Sequence, residues 1–397
     1  MDDRTRAVAS LAVLSALLAV AGSAGAQNAR PPKRPKLDAG ADTNSAAAYY
    51  QFGQSRLANR PEQAADAFYW SARLDPAAPE PRYARWVALL LVQPLDILRE
   101  YLDGEESVHT SRAVLPVDSL RYQALLREPL LPQKLDGTLV DQYLVRESGG
   151  EVGLASVDLT GDPAFDAWLQ FARGSYADAA RRFSMAIERY PQRLSLHDSR
   201  ARAFVSALQY DSAAAEFEQL IELRHRGEAT RLVIVYQSEE MANYCIGRIR
   251  EIQGRLDSAR AAYQLALTEN LGFYPAHVAL AQASLAGGDT ANALKEYDIA
   301  ATLITDRPDI RYDYGALLLT RGAFEDAAAQ FSLAIEEDSD FARPYYALGY
   351  VRESQGKDSV ALDLYRRFVA AAASSLGVQI ADARRRVAVL QSQLPAH

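Results

Sequence analysis

Residues 315–365 read GALLLTRGAFEDAAAQFSLAIEEDSDFARPYYALGYVRESQGKDSVALDLY, and this stretch says the same thing twice. Gly322 and Gly356 lie 34 residues apart, as do Ala327 and Ala361, and Phe331 and Tyr365. Reading backwards, Gly288, Ala293 and Tyr297 precede them by one period, and Gly254, Ala259 and Tyr263 by two. One register held over four copies is the mark of a stacked helical repeat. Each copy reads as two helices. The first carries a small residue for close packing (Gly247, Ala281, Gly315, Gly349). The turn glycine follows, because a tight helix–helix turn needs a positive φ. The second carries Ala, an aromatic four later and Ala three later, as in Ala259, Tyr263 and Ala266. Those positions form one helical face.

Working outward, weaker copies precede the regular block. Gly174, Ala179, Phe183 and Ala186 fit one in 165–195; Ala213, Phe217 and Leu220 fit the next, with Leu208 in place of the turn glycine. The register then slips by about 12 residues over a segment containing Leu232–Tyr236, a β-branched run that periodicity leaves open between a buried extended piece and a helix start. Gly53, Ala64, Phe68 and Pro76 space like one divergent repeat. The predicted organisation is 1–26 signal peptide, 27–44 flexible linker, 45–79 divergent repeat, 80–164 irregular region, 165–238 repeats plus insert, 239–373 four regular repeats and 374–397 capping helix. Within 80–164, helical pieces at 82–92, 95–102 and 117–127 and a hairpin around Gly149-Gly150 suit either degenerate repeats or an inserted subdomain. At the other end Leu376, Ile380, Ala383, Val387, Leu390 and Leu394 make one apolar stripe that covers the open end of the stack. Phe368 in place of the second Ala of the last copy suits that changed neighbour, and Pro395 ends the helix.

The 397 residues carry 43 Lys and Arg against 51 Asp and Glu, a net charge of −8. A mildly acidic chain without a basic stripe argues against nucleic acid as the partner. Arg4 and Arg6, an uncharged Ala/Leu/Val run and Ala24-Gly25-Ala26 predict an export signal cut before Gln27. Arg30, Lys33, Arg34 and Lys36 just past the cut oppose translocation, which keeps an uncleaved membrane anchor as the alternative. The expected location is therefore periplasmic or secreted. Cys245 is the only cysteine, so no internal disulfide forms, and beside Gly247 it reads as a small buried residue.

These residues resemble the tetratricopeptide repeat family, with Ile246-Gly247, Tyr314-Gly315 and Leu348-Gly349 in place of its Leu-Gly pair. The prolines Pro275, Pro308 and Pro344 are displaced from its pattern, and Arg250, Ser284, Leu318 and Arg352 stand where it carries Tyr. The resemblance implies an all-α fold, a right-handed α-α superhelix with a C-terminal capping helix. It also implies first helices on a concave face that bind a protein or peptide. It does not extend to the family's carboxylate clamp, whose Lys and Asn set is missing.

Catalytic and metal motifs are not found. His109, His197, His225, His277 and His397 include no i, i+4 pair, and there is no H-E-x-x-H, phosphate loop or nucleophile elbow. No catalytic residue, cofactor or metal is expected; His277 reads as structural or exposed. The expected function is a non-catalytic scaffold in the cell envelope. The rivals are an envelope-anchored assembly factor and an enzyme with a site in 80–164. The candidate partner-binding residues are Tyr244, Tyr312 and Tyr346 at one first-helix position, Arg248 and Tyr350 one turn on, and Arg343. Tyrosines with nearby Arg have the composition of a binding hot spot, but the same period suits a core role.

Overall fold

The computed structural model describes residues 32–92, 163–226 and 238–393, less 58, 76, 77, 79, 173 and 192, together with Leu126 and Leu130. The expected signal peptide, the hairpin around Gly149, the run Leu232–Tyr236 and Pro395 lie outside the described residues. The helices are α1 (Ala46–Arg56), α2 (Pro61–Leu74), α3 (Glu80–Val92), α4 (Pro163–Ala172), α5 (Tyr176–Arg189), α6 (Leu194–Ser206), α7 (Tyr210–His225), α8 (Glu239–Ile252), α9 (Leu256–Glu269), α10 (Tyr274–Ala286), α11 (Thr290–Leu303), α12 (Pro308–Thr320), α13 (Phe324–Glu337), α14 (Arg343–Ser354), α15 (Asp358–Ala371) and α16 (Gly377–Gln393). No strand occurs among the described residues.

The helix ends follow from local chemistry. Pro275, Pro308 and Pro344 each sit in the first turn of a first helix, where the missing N–H has no intrahelical use. This accounts for their displacement from the consensus position. Ser238 caps α8 by accepting from Met241 N–H, and Asp289 caps α11 by accepting from Asn292 N–H at 3.0 Å. At the turns, Gly174, Gly254, Gly288, Gly322 and Gly356 take φ between 69° and 82°. The next residue then donates back five positions, as from Arg255 to the Arg250 carbonyl at 2.8 Å and from Lys357 to Arg352 at 2.9 Å. Leu208 makes the same turn at φ 61° and bears the strain a side chain meets there.

Packing within hairpins follows the small-residue positions. A Cβ on Gly315 would stand 2.8 Å from Cε1 of Phe331, and one on Gly349 2.9 Å from Cε1 of Tyr365. Gly53 meets Phe68 and Gly247 meets Tyr263 in the same way, so the divergent first repeat uses the contact too. Burying each ring contributes about 2–3 kcal/mol.

The described chain falls into two compact units. One takes Tyr50–Tyr69 and Ala78–Glu269; its hairpins α4–α5 and α8–α9 bury Phe171, Phe183, Tyr244, Cys245 and Tyr263. The other takes Lys36–Tyr49, Trp70–Ala77 and Asn270–His397. In it Ala383 and Leu390 of α16 join Val351, Leu362, Tyr365 and Phe368 in one core, with Ile380 and Val387 packed against it. That is the expected cap. Leu376 falls in the 3-10 turn ahead of α16 rather than in the helix. N-terminal residues also belong to this second unit. Ser374 N–H donates to the Asn44 carbonyl at 3.1 Å, and Arg73 pairs with Asp338 and with Asp340. Leu37 is buried, so the described part of 27–44 is not all free tether.

Two buried histidines recur at one repeat position, each 19 residues before a glutamate. His197 Nδ1 lies 2.6 Å from Glu216 and His277 Nδ1 2.7 Å from Glu296. Their Nε2 atoms face the Pro191 and Leu271 carbonyls, both at 3.1 Å, and so tie each helix pair to the loop before it.

Candidate functional site

The first-helix tyrosines share one support. Tyr244 lies 5.8 Å from Tyr263, Tyr312 5.8 Å from Phe331 and Tyr346 5.8 Å from Tyr365, ring centroid to centroid. Each ring is thus fixed from behind by the second helix of its own hairpin. Their exposure differs. In the first unit Tyr244 is buried at 4%, and Arg248 beside it is engaged with Glu251 at 2.6 Å. These two present little to a visitor.

In the second unit Tyr312 is half-buried and Tyr350 is 43% exposed. The cap helix covers part of this wall. The Tyr346 hydroxyl donates to Asp382 at 2.8 Å, and the Arg386 guanidinium lies 5.6 Å from the Tyr350 ring centroid. Arg386 also holds the Asp382 carboxyl down to about 2, with Tyr346 and Arg385 adding to the effect. Tyr312 is different. Its ring is wedged between Phe331 and Phe341, the latter edge-on at 5.9 Å, and its hydroxyl makes no hydrogen bond among the described residues. Burial pushes that hydroxyl up, against the field of Arg343.

Sequence reasoning did not single out the residue next to it. Asp313 is half-buried and, among the described residues, forms no hydrogen bond or ion pair. Burial pushes its carboxyl up to about 6; Asp309 adds to this, while Arg343 and Arg307 oppose it. Arg307 is committed elsewhere, through Nε and Nη2 to Asp309 at 2.8 and 2.7 Å and through Nη1 to the Tyr274 hydroxyl at 2.9 Å. Arg343 is exposed and has no ion-pair partner among the described residues. On the α11 side Tyr297 feels both Asp313 and Asp309, and Gln282 of α10 engages its hydroxyl. First helices α10, α12 and α14 therefore contribute Gln282, Tyr312, Asp313 and Arg343 to one region. No group of three His, Cys, Asp or Glu able to share a metal occurs among the described residues. No described helix is long and apolar enough to cross a membrane.

No family model matches the chain. An uncharacterized protein of Haemophilus influenzae is 36% identical over 70 residues, which are 18% of this chain and 39% of that one, so the chain spans about two fifths of that relative. Among solved structures, YrrB, described as a TPR protein with an unusual peptide-binding site, is 18% identical with a TM-score of 0.40 over 52% of this chain and 99% of its own. The C-terminal part of a TPR repeat-containing protein from Cytophaga hutchinsonii is 14% identical with a TM-score of 0.43, covering 57% and 95%. Pseudomonas aeruginosa PilF is 14% identical with a TM-score of 0.43, covering 56% and 95%. The period of 34, the positive-φ turn and the glycine seated on its partner ring make these hairpins tetratricopeptide repeats in fold.

Proposed function

We propose that this chain is a non-catalytic scaffold of the cell envelope that holds a protein or peptide against the first-helix positions of its second unit. Tyr312 carries the reading. Its ring is locked between Phe331 and Phe341, and its hydroxyl is unspent. A preformed aromatic surface loses little ordering entropy on docking. Arg343 adds an exposed cation beside it, while Tyr346 and Tyr350 border the surface on the side of the cap. Tyr244 and Arg248, in the other unit, are held inside their own hairpin and contribute less.

The test is capture of envelope proteins by the full chain and by Tyr312→Ala with Tyr346→Ala, with circular dichroism as the control for folding. The variant is expected to keep its helicity and lose capture; equal capture by both proteins rejects the surface. Envelope location rests on the sequence of residues 1–26. Mass spectrometry of the mature chain tests it, and a start at Gln27 is the expected result.

A further inference from the structure

We infer that His197 with Glu216 and His277 with Glu296 are proton-operated ties. Each ring carries two protons, one donated to the glutamate and one to the loop carbonyl ahead of its helix, and loss of a proton as pH rises frees that loop. The ties are independent of the binding surface proposed above.

Both nitrogens of each ring face an oxygen. His197 Nδ1 lies 2.6 Å from Glu216 Oε1 and its Nε2 3.1 Å from the Pro191 carbonyl. His277 Nδ1 lies 2.7 Å from Glu296 Oε2 and its Nε2 3.1 Å from the Leu271 carbonyl. A backbone carbonyl and an ionised carboxylate can only accept, and a neutral imidazole has one N–H. Either neutral tautomer would therefore set a lone pair against an oxygen. The imidazolium donates from both nitrogens and satisfies both partners. The proton belongs on the ring, because a carboxyl gives up its proton more readily than an imidazolium. At Glu216 the Arg200 guanidinium, 2.5 Å from Oε2, favours the carboxylate further. Burial opposes a charged ring, but all four side chains are buried together, so the paired carboxylate and two charge-assisted hydrogen bonds offset that cost.

The last hairpin makes the same tie without a titrating ring. Tyr345 stands two periods after His277, and its hydroxyl donates to the Ser339 carbonyl at 3.0 Å, six residues back as for both histidines. The place of the glutamate, 19 residues on, holds the buried Leu364. The loop carbonyl is thus the constant demand, and a carboxylate accompanies the donor where that donor is an imidazole. In the hairpin between them Arg311 stands at this position and donates to Gln330, again 19 residues on, at 3.4 Å. Charged neighbours differ between the two ties. Arg200 bonds Glu216 and, at 3.1 Å, Ser184 of α5. Asp198 and Arg202, on the same helix as His197, pair with each other at 2.9 Å. No charged group other than its partner is bonded to His277 or to Glu296 among the described residues. The charge of Arg200 opposes a second cation beside Glu216, so the His197 tie should release at lower pH than the His277 tie.

Imidazole nitrogen NMR on the full chain tests this, with His197→Gln and His277→Gln assigning the signals. At about pH 7, where a free imidazole is largely neutral, both nitrogens of His197 and of His277 should carry protons. The second test transplants the pair of the last hairpin. His277→Tyr with Glu296→Leu should keep the tie to the Leu271 carbonyl and remove its proton. In the wild type the folded ring keeps its proton after the unfolded ring has lost it. The stability this brings is complete at low pH and falls as pH rises above about 6.5. Urea denaturation should therefore show the ratio of folding constants, wild type over variant, falling by up to about tenfold per pH unit until the folded ring also deprotonates. An unprotonated nitrogen on either ring at about pH 7 overturns the inference, as does a ratio that stays constant with pH. If the double variant does not fold, the NMR result on the wild type decides alone.

Discussion

Arg386 of the terminal helix donates through Nη1 to Glu353 Oε2 at 2.6 Å, the same oxygen that accepts the Tyr365 hydroxyl at 2.7 Å. The α8–α9 hairpin holds the same arrangement, with Arg248 donating to Glu251 Oε2 at 2.6 Å and Tyr263 at 2.7 Å. There the arginine comes from the first helix itself. In the last repeat Tyr350 occupies that position, and the cap supplies the guanidinium instead. Where the second-helix ring is Phe331 and has no hydroxyl, the glutamate position holds Leu319. The phenols of Tyr263 and Tyr365 therefore each meet a carboxylate whose charge an arginine balances, as a desolvated hydroxyl requires.

Replacing Arg386 by Met keeps the bulk of the side chain and removes its bonds to Asp382 and Glu353. The change is expected to cost the cap about 1–3 kcal/mol. Hydrogen exchange should show lower protection in α16 and none of the change in α8–α9. The Asp382 carboxyl is held at about 2, below its ordinary 3.8. Its contribution is complete above 3.8 and is lost only as pH falls through about 2. Protection of α16 that fades already between pH 5 and 4 would contradict this.

Leu208→Gly is expected to stabilise the α6–α7 hairpin. Leu208 turns at φ 61° with its side chain 71% exposed, so it bears left-handed strain with little burial in return. Relief of about 1–2 kcal/mol is partly offset by the greater freedom of glycine in the unfolded chain, about 0.4–1 kcal/mol. Urea denaturation should show a small net gain. The contrast is Gly247→Ala, whose Cβ would stand 2.5 Å from Cδ1 of Tyr263. Overpacking of that kind typically costs about 1–3 kcal/mol.

The hairpins were legible in the sequence because their causes are local and periodic. Gly322, Ala327 and Phe331 each satisfy a requirement that recurs every 34 residues, and even the Leu208 exception is visible as a gap in the series. Asp313 left no such trace: its character depends on Asp309 and on Arg343 of the next first helix, at a position the other repeats fill differently. Arg386 was hidden because the cap follows no repeat, although Glu251 and Glu353, three periods apart, hinted at a shared need. His197 with Glu216 and His277 with Glu296 carried a readable signal, the same spacing of 19 at the same repeat position. The contacts of Asn44 and Arg73 with the last repeats were beyond reach, since nothing local announces a pairing across some 265–330 residues.

Those histidine pairs make a comparative prediction. His277→Ala leaves the buried Glu296 without the hydrogen bond from His277 Nδ1, and such a loss costs about 1–3 kcal/mol. His197→Ala should cost less, because Arg200 still donates to Glu216 at 2.5 Å. Replacing both His277 and Glu296 by Leu should recover much of the loss. A double-mutant cycle in urea measures this; equal costs for the two histidines would show that Arg200 does not compensate.

Asp313 sets the last expectation. Its carboxyl holds a proton up to about pH 6 in the native chain, against an ordinary value of 3.8. Between those values the folded protein binds more protons than the unfolded one, so stability falls as pH rises and the cost is fully present above 6. A shift of about two units corresponds to roughly 1–3 kcal/mol, the lower end allowing for solvent at a half-buried site. Asp313→Asn removes the titration, so the variant should be more stable than the wild type by that amount at pH 8. The two should converge near pH 3.5. Glu337 and Asp338 are also pushed up by burial and drift in the same direction, but they are common to both proteins and cancel in the difference. A constant difference across pH 4 to 8 would mean that Asp313 ionises as freely as any surface carboxylate.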